Sequence, residues 1–223
     1  MSDSLVLFDI DGTLLRGAGP HHKRALIEGI RRVTGLETTL DGIDTAGMLD
    51  RDLITAMLTA AYSSMTDDLT SIMQGCQDAY LADCAADLSP FLCRGVVPLL
   101  QRLQNAGAPL GLVSGNLSAI GWKKLELAGI HSFFSVAAFA EDGHTRAELA
   151  RIAAARACEA GTINATTCIS LIGDHANDIA AAKANGFRSI AVASGVTPYE
   201  ELAALQPDIV VRHLEELNFL NLL

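Results

Sequence analysis

The chain has 223 residues, half of them hydrophobic, and it carries 16 basic and 26 acidic side chains. This length and composition are typical of a soluble globular protein with one large domain, or with a domain and an insertion. The formal charge of −10 repels phosphate backbones and anionic lipids, which argues against binding to nucleic acid or to a membrane surface. The first residues lack a basic region and a long apolar run, so the cytoplasm is the expected compartment.

The first predicted element is a short apolar strand at 5–8, which is followed by Asp9, Asp11 and a glycine turn signal. A short apolar run of this kind suits a strand of a parallel sheet that is covered on both faces. Four similar runs follow, at 109–116, 166–174, 187–195 and 207–211. Helix-like segments separate these runs, and this alternation predicts an α/β fold with a Rossmann-like, doubly wound parallel sheet.

Residues 16–88 interrupt the alternation because they contain no strand-like run. Three segments in this stretch look helical, near 22–34, 51–62 and 69–86. The sequence therefore predicts an all-helical cap of residues 16–88 inserted after the first strand. The catalytic core would then consist of residues 1–15 and 89–223, with linkers near 16–19 and 89–95.

The rest of the chain has helices between its predicted strands. Apolar residues at helical spacing predict one helix within 95–107, where Gly107 stands at the expected end. Similar spacing predicts helices at 147–161 and 177–186.

Residues suited to ligand binding lie at or just after the ends of three of the predicted strand runs: Asp9 and Asp11, then Ser114, Gly115 and Asn116, then Asp174 with Asp178 four residues later. In open α/β sheets, ligands bind beyond the carboxyl ends of the strands. Carboxylates that converge there repel one another unless a cation lies among them, and hard oxygen ligands suit Mg²⁺. A magnesium site of this kind binds phosphate well, and the Ser114 hydroxyl and nearby backbone N–H groups could hold the other phosphoryl oxygens.

These segments resemble a known family. "DIDGTL" at 9–14, "LVSGN" at 112–116 and "GDHANDI" at 173–179 look like the first, second and fourth motifs of the haloacid dehalogenase superfamily, in order and at suitable spacing. The helical insertion resembles that superfamily's α-helical cap of the first type, as in the phosphoglycolate-phosphatase-like and β-phosphoglucomutase-like branch. Together these features cover essentially the whole chain.

The resemblance implies a role for each acidic residue. Asp9 would be the nucleophile that attacks phosphorus and carries a transient aspartyl-phosphate. Asp11 would be the general acid and base, protonating the departing oxygen and then taking a proton from water. Mg²⁺ would be held by Asp9, the backbone carbonyl of Asp11 and Asp174, with Asp178 acting directly or through water. An ordinary place in the first turn of a helix is the alternative for Asp178.

Further positions are predicted at the substrate. Ser114 would bind phosphate, with a helix cap as the alternative, and Gly115 and Asn116 would lie beside the substrate. Arg51, in the cap segment 47–53, would contact a substrate anion, although the exposed start of a helix is the alternative.

The histidines near these motifs have weaker assignments. His175 is equally consistent with a place in the pocket and with a structural role. His21 and His22 have no partners at ligand spacing, which predicts a solvated face of the cap.

The third motif departs from the family pattern. Relatives supply a lysine between the second and fourth motifs, whereas the favoured candidate here is Arg146, at the predicted start of a helix. Arginine keeps the positive charge and can bind two phosphoryl oxygens through its fork. Lys123 and Lys124, on the helix after the second motif, are the competing candidates.

The function indicated is a Mg²⁺-dependent phosphomonoester hydrolase that acts on a small phosphorylated metabolite. Four alternatives remain. A phosphoglucomutase-like phosphotransferase uses the same motifs, whereas a haloacid dehalogenase would not need Asp11. A phosphonate hydrolase would use a cap lysine, and residues 16–88 contain only one lysine, Lys23. A signalling module that accepts phosphate would not need the cap. The sequence determines neither the substrate nor the oligomeric state.

Overall fold

The computed structural model describes residues 3–61 and 68–222 of the chain. Six strands lie within these ranges: β1 (Ser4–Phe8), β2 (Leu110–Val113), β3 (Val136–Ala138), β4 (Cys168–Gly173), β5 (Arg188–Val192) and β6 (Ile209–Val211). All of them pair in parallel, in the spatial order β3-β2-β1-β4-β5-β6. The predicted fold class, α/β with a Rossmann-like parallel sheet, is confirmed.

The same described ranges contain eight α-helices: α1 (Gly19–Thr34), α2 (Asp50–Ala61), α3 (Leu69–Ala82), α4 (Val96–Asn105), α5 (Ser118–Leu127), α6 (Arg146–Glu159), α7 (Ala176–Ala184) and α8 (Tyr199–Ala204). Helices α1 to α3 fall between β1 and β2, where the cap was predicted. The last residue of the second predicted helix, at position 62, lies outside the described residues. Across the ranges described, no helix has both the length and the apolar character needed to cross a bilayer.

The sequence patterns missed β3 and made the four strands predicted after β1 too long, two of them by several residues. β3 has three residues, lies at an edge of the sheet and contains two alanines, so its apolar run is too short to stand out. The runs predicted at 109–116 and 187–195 end as strands at Val113 and Val192. Their remaining residues form the loops that follow the strands, where the polar side chains lie.

β1 lies in the middle of the sheet and is buried along its whole length. Leu5 and Leu7 belong to the apolar cluster on one face of the sheet, which includes Leu149 of α6. Val6 and Phe8 belong to the cluster on the other face, which includes α4. Successive side chains of a strand point to opposite faces, so both faces of β1 are fixed by packing.

The order of the strands reverses at β1. Phe8, its last residue, pairs with Leu112 of β2 on one side and with Ile172 of β4 on the other. A crevice at the carboxyl end of the strands is the usual ligand site at such a switch point. Asp9 is the next residue, so the fold places it in that crevice.

The two connections between the sheet and helices α1 to α3 run side by side. Leu15 forms an antiparallel bridge with Leu92, and the N–H of Arg16 donates to the carbonyl of Phe91 at 2.8 Å. These contacts lie close to the predicted cap boundaries, after residues 15 and 88. The division of the chain at those boundaries stays a prediction.

Candidate active site

Asp9 and Asp11 lie in a tight turn directly after β1. The N–H of Asp9 donates to the carbonyl of Ile172 at 2.9 Å, which continues the pairing with β4 by one residue. Gly12 has φ of 96°, a conformation that glycine adopts without steric cost. A Cβ at Gly12 would also overlap the carboxylate of Asp174. The turn therefore brings both aspartates to the crevice and leaves room for a third carboxylate.

Asp9, Asp174 and Asp178 form a buried acidic cluster. Each offers one carboxylate oxygen, and these oxygens lie within 4.8 Å of one another. Asp174 follows β4, and a Cβ at Gly195 would overlap its carboxylate, so glycine backbone surrounds this side chain. Three oxygens at this spacing form a donor set of the kind that binds a hard divalent cation.

The two oxygens of Asp178 have different surroundings. Oδ2 accepts a hydrogen bond from the N–H of His175 at 3.2 Å, and Nδ1 of His175 accepts from the N–H of Asn177, which together cap α7. Oδ1 is buried and has no hydrogen-bond partner among the described residues. The two predicted roles of Asp178, in the helix and towards the cluster, are therefore compatible, because each uses a different oxygen.

Burial raises the pKa of all three carboxyl groups of the cluster. For Asp174, burial and then the charge of Asp178 raise the pKa to about 7. Burial also raises the pKa of Asp9 and of Asp178, although the guanidinium of Arg146 opposes the shift in both cases. A cation bound among these carboxylates would favour their ionised forms, so protons and a metal ion compete for the cluster.

Arg146 links two members of the cluster. It is the first residue of α6, and Thr145 caps this helix by accepting from the N–H of Glu148. Nη1 of Arg146 donates to Asp9 Oδ1 at 3.0 Å, and Nε lies 3.3 Å from Asp178 Oδ1. The side chain is 9% exposed and lines a cavity. Nη2 makes no hydrogen bond to the described residues, so its N–H groups have no acceptor among them.

The loop after β2 carries the residues of the predicted second motif. Gly115 and Asn116 line the cavity. Ser114 is fully buried and does not line it, and its hydroxyl accepts from Nδ2 of Asn116 at 2.7 Å. Gly115 and Asn116 therefore lie at the crevice, whereas Ser114 lies behind them and contacts Asn116. The roles predicted for all three residues stay predictions.

Asp11 contacts a second buried cation. Nζ of Lys124 lies 2.6 Å from Asp11 Oδ2, 2.7 Å from Asn116 Oδ1 and 3.1 Å from His22 Nδ1. His22 continues the chain of contacts to Asp50 Oδ2 at 2.8 Å. Burial raises the pKa of Asp11, but the charges of Lys124 and His22 and the hydrogen bonds from Lys124 and Asn116 together outweigh this effect, so the pKa is lowered.

The prediction that His22 lies on a solvated face of the cap is wrong. Its ring is 13% exposed and is bonded at both nitrogens. The pattern could not reveal this, because the partners of His22 are 28 and 102 residues away in the chain. Asp50, which contacts His22, was missed as well, because only Arg51 was singled out in the cap segment 47–53.

Two other predicted positions can now be placed. Arg51 does not line the cavity, and its Nη1 donates to the carbonyl of Gly143 at 3.3 Å. Its predicted contact with a substrate anion stays a prediction. His175 both caps α7 and lines the cavity, so its two proposed roles coexist.

The cavity above these residues has a volume of about 430 Å³. The acidic cluster, Asp11 and Arg146 form one side of it. Residues 15–53 form the other side, which is mostly apolar and includes Leu26, Leu40 and Met48. Arg16 and Lys23 also line this side; both are exposed, and neither has an ion pair within the described ranges.

Comparisons with known proteins agree with this geometry. A family model described as haloacid dehalogenase-like hydrolase matches residues 4–186. Phosphoglycolate phosphatase of Escherichia coli is 28% identical over 229 aligned residues, which cover 95% of this chain and 90% of that protein.

Solved structures share the fold. β-Phosphoglucomutase from Clostridium difficile superposes with a TM-score of 0.72 at 20% identity, covering 99% of this chain and 95% of that one. A variant of CbbY from Rhodobacter sphaeroides, in complex with xylulose-1,5-bisphosphate, has a TM-score of 0.72 at 18% identity, with 97% of each chain covered.

Proposed function

Because this chain belongs to the haloacid dehalogenase-like hydrolase family, we propose that it is a Mg²⁺-dependent phosphomonoester hydrolase that acts through an aspartyl-phosphate on small organic phosphates. One observation carries the proposal. The Asp9 carboxylate lies at the switch point of the sheet, within an acidic cluster and in contact with Arg146, on the wall of a cavity that Asp11 also lines.

Asp9 is oriented as a nucleophile. Its Oδ1 accepts from Arg146, while Oδ2 has no partner among the described residues. The free oxygen is therefore the one available to attack phosphorus, and the charge of Arg146 offsets part of the repulsion between a carboxylate and a phosphate.

The residues fit a magnesium ion. Asp9, Asp174 and Asp178 would hold it with the backbone carbonyl of Asp11, because the three buried carboxylates offer oxygens within 4.8 Å of one another. Among the described residues, Asp178 Oδ1 has an ion-pair contact with Arg146 Nε but no hydrogen bond. When bound, Mg²⁺ would supply positive charge at the phosphoryl oxygens and polarise the ester.

Asp11 would move the protons. Its lowered pKa favours the carboxylate, which is the form needed to take a proton from the water that hydrolyses the aspartyl-phosphate. To protonate a departing alkoxide, the same carboxyl must enter the first step protonated. Esters of acidic alcohols need this proton less, so they should depend less on Asp11.

The cavity favours small substrates with a second anionic group. A volume of about 430 Å³ suits a metabolite, and Arg16 and Lys23 supply two exposed cations on the cap side. Phosphoglycolate, which the Escherichia coli relative is named for, carries a carboxylate as well as a phosphate. We therefore place it in the first group of compounds to test.

Two reactions of the same fold remain as alternatives. A phosphotransferase would use the same aspartates and return the phosphoryl group to a sugar, as in the β-phosphoglucomutase that shares the fold. A phosphonate hydrolase needs an amine from the cap, and Lys23 does line the cavity. Sugar phosphates and phosphonoacetaldehyde therefore belong in the panel.

The first experiment measures phosphate release from a panel of small phosphomonoesters, with Mg²⁺ or with EDTA, for the wild type and Asp9→Asn. We expect turnover that requires the metal and that falls by at least about 10³-fold in the variant, because the amide cannot form the phosphoenzyme. Folding of the variant is checked by thermal unfolding. Equal turnover by the folded variant, or no release from any ester by the wild type, would contradict the proposal.

A further inference from the structure

Lys124 is fully buried, with an exposed fraction of 0%. An ammonium group has three N–H donors. Three acceptors surround this one, namely Asp11 Oδ2, Asn116 Oδ1 and His22 Nδ1. Lys124 does not line the cavity, and it has no donor left for a phosphoryl oxygen. Its chemistry is therefore directed at Asp11 and not at the substrate.

The contact with Lys124 fixes the tautomer of His22. Nδ1 must present its lone pair to the ammonium, so the proton lies on Nε2, which donates to Asp50 Oδ2 at 2.8 Å. Asp50 is 2% exposed, and the same oxygen accepts from the N–H of Leu117 at 2.7 Å. His22, which contacts Lys124 from the cap side, is thus linked through Asp50 to Leu117, the residue just before the helix that carries Lys124.

The two oxygens of Asp11 differ as a result. Oδ2 accepts from Lys124 at 2.6 Å and from Nδ2 of Asn116 at 2.7 Å. Oδ1 has no partner in the described part of the chain, and the side chain is 40% exposed on the cavity wall. Two donors on one oxygen fix the rotation of the carboxylate, so the other oxygen is presented to the cavity.

We propose that Lys124 is a positioning residue for Asp11, that it fixes the carboxylate so that Oδ1 faces the reacting ester, and that His22 and Asp50 hold Lys124 in place. The inference rests on the proposed function, because the orientation of Asp11 matters only when a proton moves at the ester oxygen or at water. A carboxylate that is already oriented needs no reorganisation during the reaction.

The test is a double-mutant cycle of Lys124→Met and Asp11→Asn, measured with Mg²⁺ on an alkyl phosphate that the wild type hydrolyses. We expect Lys124→Met to lower kcat by about 10- to 100-fold, a part of the effect of a general acid and base, while KM changes by less than about threefold. In the Asp11→Asn background the same substitution should change kcat by less than about threefold, because a residue that acts through Asp11 has nothing left to position.

Lys123→Met is the matched control. Lys123 lies next to Lys124 on α5, and its side chain is partly exposed in a surface pair with Glu126. Its removal should leave kcat and KM at the wild-type values, since exposed pairs of this kind contribute little.

A second pair of variants keeps the test decisive if Lys124→Met does not fold. His22→Gln retains an oxygen that can accept from Lys124, whereas His22→Leu removes the acceptor. We expect His22→Gln to retain several-fold more kcat than His22→Leu, and we expect this difference to disappear in the Asp11→Asn background. Thermal unfolding of each variant shows which ones are folded.

Three results would overturn the inference while the wild type remains active: additive losses in the cycle, an unchanged kcat in folded Lys124→Met, or a rise in KM alone. Where Lys124→Met is not folded, equal kcat values for the two His22 variants would overturn it. A wild type without phosphatase activity would instead overturn the proposed function, and the inference with it.

Discussion

Two cations contact different carboxylates of the site. Arg146 contacts Asp9 and Asp178, and Lys124 contacts Asp11. A buried charge without a partner is costly, so these carboxylates make the burial of the two cations possible. The separation also means that the proposed nucleophile and the proposed acid and base are oriented by different groups, and each can be perturbed alone.

Replacing Arg146 tests the contact between this cation and the proposed nucleophile, Asp9. Arg146→Ala removes the donor to Asp9 and the charge beside Asp178, and we expect kcat to fall by about 10²- to 10³-fold, the usual cost of losing one donor to a transition-state oxygen. Arg146→Lys restores the charge without the planar fork, so it should recover part of the loss. Steady-state kinetics with Mg²⁺ measures both.

Arg151→Ala is the control for this pair, because Arg151 lies on the same helix and is exposed. It should leave kcat unchanged. Thermal unfolding separates lost activity from lost folding, since Arg146→Ala leaves two buried carboxylates without their cation. If Arg146→Ala kept wild-type kcat, the role proposed for Arg146 towards Asp9 would be wrong.

At the scale of elements, the start of α2 rests on the loop after β2. The N–H of Asp50 donates to the carbonyl of Gly115 at 2.7 Å, and the Asp50 carboxylate accepts from the N–H of Leu117. These bonds lie on either side of Asn116, which touches Asp11. The position of the cap segment and the position of the second motif are therefore coupled through the backbone N–H and the side-chain carboxylate of Asp50.

Gly115→Ala tests this contact. An added Cβ would lie 2.7 Å from the carbonyl oxygen of Met48, which is backbone and cannot turn away, so the cap segment must shift. We expect KM to rise and stability to fall by about 1–3 kcal/mol, as in other overpacked sites. Substrate saturation curves and chemical denaturation measure the two effects.

Gly143→Ala is the matched control, because its Cβ would meet side-chain atoms of Glu148 and Leu149, at 3.1 Å and beyond, which can move. It should change KM and stability less than Gly115→Ala. Equal effects of the two substitutions would argue against the importance of the contact between Gly115 and Met48.

At the scale of the whole molecule, the sequence was sufficient for the layout. The apolar runs located five of the six described strands, and the absence of such runs in 16–88 located helices α1 to α3. The order of motifs identified the superfamily, which the family model confirms together with the enzyme class, a phosphatase-like hydrolase. The apolar run of β1 was recognisable because this strand is buried on both faces, so the side chains of residues 5–8 are apolar without alternation.

The contacts within the site could not be predicted from the sequence. Arg146 was favoured over Lys123 and Lys124 for one role. Instead, Arg146 and Lys124 reach different aspartates, because they come from α6 and α5, and Lys123 pairs with Glu126. His22 was assigned to solvent, since its partners come from α5 and α2. Such contacts depend on how elements that are far apart in the chain pack together, and local sequence patterns do not indicate this packing.

The acidic cluster should make the stability of the whole protein depend on pH and on Mg²⁺. The pKa of Asp174 is raised to about 7, and those of Asp9 and Asp178 are raised too, whereas an unfolded aspartate titrates near about 4. Groups with raised pKa values bind protons more tightly in the folded state. The metal-free protein should therefore gain stability as the pH falls from 8 towards 5, and it should lose that gain as the pH rises through 7.

Mg²⁺ should reverse this dependence, because the metal and protons compete for the same oxygens. We expect the increase in Tm on adding Mg²⁺ to be larger at pH 8 than at pH 5.5, measured by thermal unfolding in EDTA and in excess metal. Asp174→Asn removes one of the shifted groups, so its metal-free Tm should change less with pH and its response to Mg²⁺ should be smaller. An equal Mg²⁺ response at both pH values would show that the cluster does not bind the metal through these carboxylates.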